Sequence, residues 1–216
     1  MRHEDCKNWD YDTHPQVQSV ADACLAITAG LLANGNSHDA CIQDTRSHHL
    51  EMFKRVVPGQ CVELAGNYRR ALYPCLAAYA VYFGKHPGMH EGEPPANVDV
   101  KMAEFHAILA GALAKHDLAI ADAKTPGQKA ALLARLVALV AATLTHFYDI
   151  HPYANGNGHI GRLLAWVLLS RFGYPPNKLS LHKSPKGAVG YYDLFDHYRA
   201  KKKTPLHTFL LTAVLP

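Results

Sequence analysis

The chain has 216 residues, which is enough for one domain with a sizeable core or for two small domains. Hydrophobic residues make up 49% of the chain and charged residues 19%, and this globular composition argues against disorder. The formal net charge is +4 with histidine taken as neutral. Such a mild and scattered positive charge fits a site for an anionic ligand, but it does not predict binding to nucleic acid.

The cysteines and the apolar segments predict a soluble protein without a disulfide scaffold. The five cysteines all lie within the first 75 residues, their number is odd, and no Cys-x-x-Cys pair occurs, so we expect reduced thiols. Positions 1–6 lack the apolar core of a signal peptide. The most apolar stretch, 130–144, contains Arg135 and is shorter than the roughly 20 residues of a bilayer span, so we expect no membrane partner.

The spacing of apolar residues predicts an all-α chain. Residues 1–16 are polar and predict an irregular arm, whereas the turn residues that crowd positions 66–98 predict a loop with a short hairpin. We expect a helical extension over 1–44 and one compact domain over 45–216. Helical spacing recurs in these segments: 17–32, 47–57, 98–116, 128–148, 157–172, 191–200 and 206–214.

Two long predicted helices flank the most informative part of the chain. In the helix over 128–148, apolar residues repeat every four positions, and Thr125 followed by proline supplies its start. His151 ends this helix, because the residue before a proline is disfavoured in the α region. The second helix, 157–172, ends at Gly173.

Residues 151–162 carry the predicted chemistry and read His-Pro-Tyr-Ala-Asn-Gly-Asn-Gly-His-Ile-Gly-Arg. The glycines permit close approach of the backbone to a ligand, and the turn opens into a helix whose N-terminal amides and dipole favour an anion. His151 is placed to act as a general base, and Arg162 is placed to reach a phosphate oxygen. The residues alone predict a phosphate site, although the same pattern is also common in structural turns.

The segment also resembles the signature of the Fic (filamentation induced by cAMP) family, usually His-Pro-Phe-x-Asp/Glu-Gly-Asn-Gly-Arg-x-x-Arg. Further matches follow in order along about residues 45–214: Ala-Gly-Asn-Tyr-Arg at 65–69, Gly-Tyr-Pro-Pro at 173–176 and Tyr-Tyr at 191–192. The resemblance implies the all-α Fic fold, a helical bundle with a short β-hairpin flap. It also implies transfer of AMP from ATP to a Ser, Thr or Tyr hydroxyl of a target protein, with release of pyrophosphate.

The resemblance assigns roles within the motif. His151 would be the catalytic base that deprotonates the target hydroxyl. Asn157, with the backbone of Gly156 and Gly158, would hold the α- and β-phosphates of ATP or of another nucleoside triphosphate. Arg162 would hold the terminal phosphates.

Outside the motif, the resemblance implies a site for the base and a site for the target. A flap within 84–95 would bind an extended segment of a protein substrate by strand addition. Tyr192 would contribute its ring to the base pocket. Many relatives carry an asparagine further along that reads adenine, but the aligned residue here is Arg199, so the donor base stays open.

Two motif positions depart from the family pattern. Position 155 is Asn155 where a carboxylate holds the Mg²⁺ that bridges the phosphates, and a neutral amide is a weaker ligand, so we expect weakened Mg²⁺ binding. Position 159 is His159 where the family has a phosphate-binding arginine, and histidine is mostly neutral at pH 7. The two changes indicate a site retuned for another phosphate donor, or decay to a non-catalytic nucleotide-binding or interaction module.

The remaining features leave several alternatives open. The inhibitory pattern Ser/Thr-x-x-x-Glu-Gly/Asn has no clean match, so we expect no built-in glutamate inhibition, and a separate inhibitor protein stays open. His48, His49, His86 and His90 fit no zinc pattern, and we interpret them as surface or loop residues. The sequence does not distinguish a cytoplasmic protein from an effector secreted into a host cell, and it names neither the target nor the oligomeric state.

Overall fold

A computed structural model of the chain describes residues 9–34, 37–70, 74–77, 79–83, 90–185 and 190–215. These residues form an all-α bundle with one small antiparallel hairpin, as predicted. The helices are α1 Gln18–Ala33, α2 Ser37–Gln43, α3 Arg46–Phe53, α4 Pro74–Ala77, α5 Val98–Asp122, α6 Pro126–Ile150, α7 Asn157–Arg171, α8 Tyr191–Arg199 and α9 Thr204–Val214. The strands are β1 Tyr82–Phe83 and β2 His90–Glu91, and short 3₁₀ helices occupy Gly59–Leu64 and Pro95–Asn97.

Helices α6 and α7 form the centre of the bundle. Helix α6 packs against α5, α7, α8 and α9, while α2 packs on α7 and α1 packs on α3. Most of α7 is buried, including every residue from His159 to Leu169. The segment that joins α6 to α7 is therefore fixed at both ends by the core. The division of the chain at residue 44 remains a prediction.

Helix α6 is longer than the apolar stretch singled out in the sequence. It has 25 residues and passes the length and hydropathy test for a membrane span, so the argument from the shorter stretch was wrong. The core helix of a bundle passes the same test, and the inner face of α6, with Leu136, Val140 and Leu144, is buried by its neighbours. This face of α6 is therefore part of the bundle core.

A local sequence signal explains the start of α6, whereas other helix bounds differ from the prediction. Thr125 caps α6 in a capping box: its side chain accepts the backbone N–H of Gln128, and the Gln128 side chain accepts the backbone N–H of Thr125. Helix α3 ends at Phe53, earlier than predicted, and α5 continues to Asp122, later than predicted. Helix α2 was not predicted, because its seven residues are too few to show a periodic apolar face.

The predicted hairpin lies between α4 and α5. Tyr82 pairs with Glu91 and Phe83 pairs with His90 in an antiparallel register. The backbone N–H of Gly92 extends the ladder to the carbonyl oxygen of Val81 at 3.0 Å. Residues 84–89, the first part of the predicted flap, lie outside the described residues, as does His86.

The expectation of reduced thiols was wrong at one position. Cys61, in the first 3₁₀ helix, is disulfide-bonded, whereas Cys24 and Cys41 are free and buried. The odd count and the missing Cys-x-x-Cys pair were poor guides, because a disulfide needs two cysteines close in space and not close in sequence. Cys6 and the side chain of Cys75 lie outside the described residues.

Candidate active site

The site is built on the connection between α6 and α7. His151 caps α6 in the left-handed region, with φ 52° and ψ 60°, and this sharp turn redirects the chain toward α7. Gly156, at φ 78°, precedes the first residue of α7. A Cβ there would collide with Phe53 and would lie 3.0 Å from His49 Nε2, so only glycine lets the loop pack this closely.

His49 holds the loop through hydrogen bonds at both ring nitrogens. Its Nδ1 accepts the backbone N–H of Gly66 at 2.9 Å, which leaves Nε2 protonated to donate to the carbonyl oxygen of Asn155 at 3.0 Å. The ring stacks on Tyr153 with centroids 3.9 Å apart. Burial lowers the pKa of His49 to about 4, so the ring is neutral. The interpretation of His49 as a surface or loop residue was therefore wrong.

Asn157 closes the loop with its side chain. Its Oδ1 accepts the backbone N–H of Tyr153 at 3.0 Å, and its Nδ2 donates to the carbonyl oxygen of the same residue at 2.8 Å. The side chain is buried and both of its polar atoms are engaged. The side chain of Asn157 is therefore not free for the predicted phosphate contact, and only its backbone N–H is left for a ligand.

Arg69 locks the histidine turn to the flap. The residue is fully buried, and burial lowers the pKa of its guanidinium to about 10. Its backbone N–H donates to the carbonyl oxygen of Pro152 at 2.7 Å. The guanidinium donates to the carbonyl oxygens of Tyr79 (2.8 Å), Glu93 (2.9 Å), Ile150 (3.2 Å) and His151 (2.9 Å). One side chain thus joins the hairpin to both sides of the His151 turn.

The His151 ring lies in a closed aromatic setting. It stacks on Phe83 of β1 with centroids 5.0 Å apart and an interplanar angle of 6°. Burial, and next the charge of Arg69, lower the pKa of His151 to about 3. The cavity that the ring lines with Phe83, Tyr192 and Arg199 has a volume of about 20 Å³, which is room for about one water molecule. His151 therefore borders a cleft, but this cleft is too small for a nucleotide.

The N-terminus of α7 offers donors that lack acceptors. No side chain caps this helix, and the backbone N–H groups of Asn157 and Gly158 have no acceptor among the described residues. A Cβ at Gly158 would lie 2.5 Å from Tyr192 Oη and 3.2 Å from Arg162 Nη1, so glycine makes room for these polar groups. Such an uncapped helix start attracts an anion through its amides and its dipole.

Arg162 adds a charged donor beside the N-terminus of α7. Its Nε and Nη2 donate to the carbonyl oxygen of Leu181 at 3.0 and 2.8 Å, which fixes the guanidinium plane. The side chain is 2% exposed, yet Nη1 has no hydrogen-bond partner. A buried charged N–H without an acceptor is costly, so Arg162 Nη1 is available to an oxygen acceptor. We call the amides of Asn157 and Gly158 with Arg162 Nη1 the anion cradle.

Asn155 does not provide a magnesium site. Its Oδ1 accepts the backbone N–H of Gly156 at 2.7 Å, and its Nδ2 donates to the carbonyl oxygen of Trp9 at 2.8 Å. The side chain is neutral, and the described residues contain no group of three or more His, Cys, Asp and Glu placed to share a metal ion. Mg²⁺ prefers charged oxygen ligands, so the residues present do not fit it.

His159 is turned away from solvent toward the N-terminal arm. Its Nδ1 shares a hydrogen bond of 3.3 Å with the hydroxyl of Tyr11, and its ring packs edge-on against Phe53. Burial and the charge of Arg162 lower the pKa of His159 to about 3, so the ring is neutral. The side chain that replaces the family arginine thus carries no charge.

Two residues at the other end of the cleft complete the site. Tyr192 is 48% exposed and reaches over Gly158, as noted above. Arg199 donates to Asp149 and Asp196, each at 2.8 Å, and its guanidinium lies over the Phe83 ring at 5.0 Å. Arg199 therefore borders the cleft as part of an ion-pair network.

These features define a class of protein: a helical bundle whose hairpin flap folds onto the histidine that precedes a glycine-rich helix start, which is the Fic fold. Residues 38–169 match the Fic/DOC family, and the chain belongs to that family. A Fido domain-containing protein of Dictyostelium discoideum is 51% identical over 37 residues, which are 17% of this chain and 26% of the relative. The match spans about a quarter of that relative, so it supports the family and no particular activity.

Sequence reasoning missed two functional features of the site. The docking of Tyr11 on His159 had no local signal, because 148 residues separate the two positions. The structural role of His49 could have been suspected from its position one turn before Phe53 in a helix with few other apolar residues. The resemblance at 65–69 did include Arg69, but the four carbonyl groups it binds come from distant parts of the chain.

Proposed function

We propose that the protein transfers a nucleoside monophosphate from a nucleoside triphosphate to a Ser, Thr or Tyr hydroxyl of a target protein. The observation that carries the proposal is the anion cradle, where a buried arginine presents an N–H without a partner beside an uncapped helix N-terminus. Membership of the Fic/DOC family supports the reaction type. The proposal does not specify the nucleobase of the donor.

The chemical step needs one base and one anion site. The oxygen of the target hydroxyl attacks the α-phosphorus, and the bond from this phosphorus to the bridging oxygen breaks. Pyrophosphate leaves with the electron pair of that bond, and the hydroxyl proton passes to His151. His151 Nδ1 lies 3.4 Å from the carbonyl oxygen of Tyr148, which favours a proton on Nδ1 and leaves Nε2 as the base.

The anion cradle would hold the phosphate groups during this step. The amides of Asn157 and Gly158 would donate to phosphate oxygens, and Arg162 Nη1 would neutralise part of their charge. The Tyr192 hydroxyl, which lies over Gly158, would add a neutral donor. No step is derived through Mg²⁺, because the amide of Asn155 is already engaged on both sides.

The hairpin would receive the target. Strand β2 is exposed at His90 and Glu91, and its backbone continues into Gly92 and Glu93 beside the His151 turn. An extended segment of the target that pairs with this edge would bring its hydroxyl toward His151. The protein substrate is therefore proposed to bind along the described part of the flap, 90–95, within the segment 84–95 that the resemblance implied.

A second function is favoured by one specific observation. The His151 ring is stacked under Phe83 beside a cavity of about 20 Å³, and its pKa of about 3 makes it a weak base in this state. A non-catalytic nucleotide-binding module would keep the cradle and leave the histidine closed. The two functions differ in whether label from the donor becomes covalently attached to protein.

The test uses donors labelled at the α-phosphate. The protein is incubated with labelled ATP, GTP, UTP or CTP and a cell lysate, and protein-bound label is counted. We expect label with at least one donor and its loss in His151→Ala. His146→Ala, a half-buried histidine of the same helix, is the matched control and should keep the activity. Nucleotide binding without any transfer would favour the binding module.

A further inference from the structure

A cavity of about 160 Å³ lies at the opposite end of α6 from His151, where α5 ends, α6 begins and the chain leaves α7. We call it the distal cavity. Leu133 on its wall and His151 are about 18 residues apart along α6, which is roughly 27 Å at the rise of an α-helix. The distal cavity is therefore separate from the anion cradle, and no step of the proposed transfer uses it.

The end of α7 forms one wall of the distal cavity. Gly173 ends this helix in the left-handed region, at φ 84°, and the backbone N–H of Tyr174 returns to the carbonyl oxygen of Leu169 at 3.0 Å. This turn leaves the side chain of Tyr174 in the lining together with that of Phe172. An apolar cavity of about 150 Å³ holds a benzene ring, so the distal cavity has room for one ring.

His116 lines the distal cavity without a hydrogen-bond partner. The residue is 5% exposed, and its ring packs edge-on against Phe172 with centroids 4.7 Å apart. Within the part of the chain that the structure describes, neither ring nitrogen makes a hydrogen bond. Burial, and next the charge of Arg135, lower the pKa of His116, so the ring is neutral at pH 7 and offers one N–H donor. This donor is available to a ligand.

Lys129 and Tyr174 add two more polar groups to the lining. Lys129 is exposed and Tyr174 is half-buried, and among the described residues neither side chain has a hydrogen-bond or ion-pair partner. Lys129 is also the one charged side chain among the described residues that line the cavity. The nearby Arg171 is already paired with Asp39 and Asp117. The cavity therefore combines one free positive charge, two neutral donors and an apolar wall.

These groups match the chemistry of a small aromatic carboxylate. A carboxylate accepts hydrogen bonds from ammonium, imidazole and phenol groups, and its single charge balances that of Lys129. A phosphate monoester carries close to two negative charges at pH 7, and one of them would lack a cation here. An aromatic ring fills the remaining volume and favours the edge-on contacts that Phe172 already makes with His116.

We propose that the distal cavity is a binding site for a small aromatic carboxylate. The carboxylate lies at Lys129, His116 and Tyr174, and the ring lies against Phe172 and Leu133. Because all of these groups line one cavity the size of a single ring, one molecule reaches them together. The site is independent of the transfer reaction proposed above.

The first test titrates the full-length protein with benzoate and follows the backbone amides by NMR. We expect a Kd of about 1 mM or below, which a ligand of about nine heavy atoms can reach, with the largest shifts at residues 116–133 and 172–174. Acetate carries the charge without the ring and benzyl alcohol carries the ring without the charge, so each should bind at least about tenfold more weakly. Benzoate shifts that do not saturate, or that lie elsewhere, would overturn the proposal.

A charge-removing variant tests the position of the carboxylate. Lys129→Met keeps the apolar stem and should weaken benzoate binding by about five-fold, with benzyl alcohol binding unchanged. Lys54→Met removes an exposed lysine that follows α3 and is the matched control, which should bind benzoate like the wild type. Equal Kd values for benzoate in Lys129→Met and the wild type would contradict the assignment of the carboxylate.

Two further variants test the cavity itself. Leu133→Trp fills the space and should abolish binding of benzoate, and its thermal unfolding shows whether it still folds. Tyr174→Phe keeps the ring and removes one donor, so it should weaken benzoate binding about two- to five-fold whether or not Leu133→Trp folds. Wild-type affinity in Tyr174→Phe together with a folded Leu133→Trp, or in Tyr174→Phe and Lys129→Met together, would overturn the site.

One active-site variant separates this site from the transferase function. His151→Ala should bind benzoate with the affinity of the wild type, although it should transfer no label from any donor. Loss of benzoate binding in His151→Ala would show that the probe occupies the active site, and the distal site would fail. Benzoate binding at the distal cavity without label transfer by the wild type would leave the distal site standing and contradict the transferase function.

Discussion

Phe83 lies flat against His151, with ring centroids 5.0 Å apart and planes within 6° of each other. The contact joins the hairpin directly to the histidine that the transfer reaction would use as its base. It also contributes to the burial that keeps the imidazole neutral. The position of the hairpin and the basicity of His151 are therefore linked.

Removal of the Phe83 ring should raise the pKa of His151. In Phe83→Ala the imidazole gains contact with water, so its pKa should rise from about 3 toward the ordinary histidine value of about 6.5. An NMR titration of the histidine ring protons measures this, with His151→Gln used to assign the signal. Tyr82→Ala, which changes the exposed neighbour on the same strand, should leave the titration unchanged. A His151 signal that still titrates near pH 3 in Phe83→Ala would contradict the link.

The buried histidines should make the fold sensitive to acid. The folded pKa of His49 is about 4 and the unfolded value is about 6.5, so the unfolded chain takes up a proton that the folded chain excludes. The stabilising contribution is present above pH 6.5 and is lost as pH falls toward 4. This one residue accounts for a loss of about 3 kcal/mol across that window. His151 and His159 act in the same direction.

Urea unfolding at several pH values tests this dependence. His49→Gln should be less stable than the wild type at pH 7, because two backbone groups lose their ring partner. Its free energy of unfolding should fall less steeply between pH 6.5 and 4. His146→Gln serves as the control and should keep the slope of the wild type. Parallel slopes for His49→Gln and the wild type would show that His49 is not the acid-sensitive group.

Arg69 should stabilise the His151 turn through its hydrogen bonds as well as through its charge. Arg69→Lys keeps a cation but cannot reach four carbonyl oxygens at once, so we expect a loss of about 2–5 kcal/mol in the free energy of unfolding. Arg135→Lys, an exposed change on α6, should cost little. Chemical denaturation measures both. A loss in Arg69→Lys no greater than in Arg135→Lys would show that the carbonyl contacts contribute little.

The single substitution Asn155→Asp should make the affinity for ATP depend on Mg²⁺. In the wild type, Mg²⁺ should change the affinity for ATP little, because Asn155 offers no charge and its amide is engaged. In Asn155→Asp, the same addition of Mg²⁺ should tighten ATP binding by about tenfold. Each variant is compared with itself with and without the metal, so a change in ATP affinity that does not depend on Mg²⁺ does not affect the result. Asn177→Asp, an exposed change, is the control. A strong Mg²⁺ effect in the wild type would show that the site holds the metal without a carboxylate.

The sequence predicted the parts of the fold that depend on local patterns. The apolar repeat and the Thr125 cap placed α6 within two residues at each end, and α7 within one residue at its end. The end of α6 at His151 was predicted from the proline that follows this residue. Short helices such as α2 were not predicted, because seven residues are too few to show a helical period of apolar residues.

The parts of the site that depend on distant contacts could not be predicted. The resemblance implied a phosphate contact for Asn157, but its side chain closes its own loop, which only the structure shows. The substitutions at Asn155 and His159 were visible as departures, but their hydrogen bonds to Trp9 and Tyr11, far away along the chain, were not. Long-range hydrogen bonds leave no periodic signal in a single sequence.

The most direct measurement is a crystal structure of the protein with a non-hydrolysable ATP analogue. The account predicts a phosphate oxygen within about 3 Å of Arg162 Nη1 and of the Gly158 amide, since this is hydrogen-bonding distance. A bound nucleotide whose phosphates lie elsewhere, with Arg162 Nη1 still lacking a partner, would contradict the account.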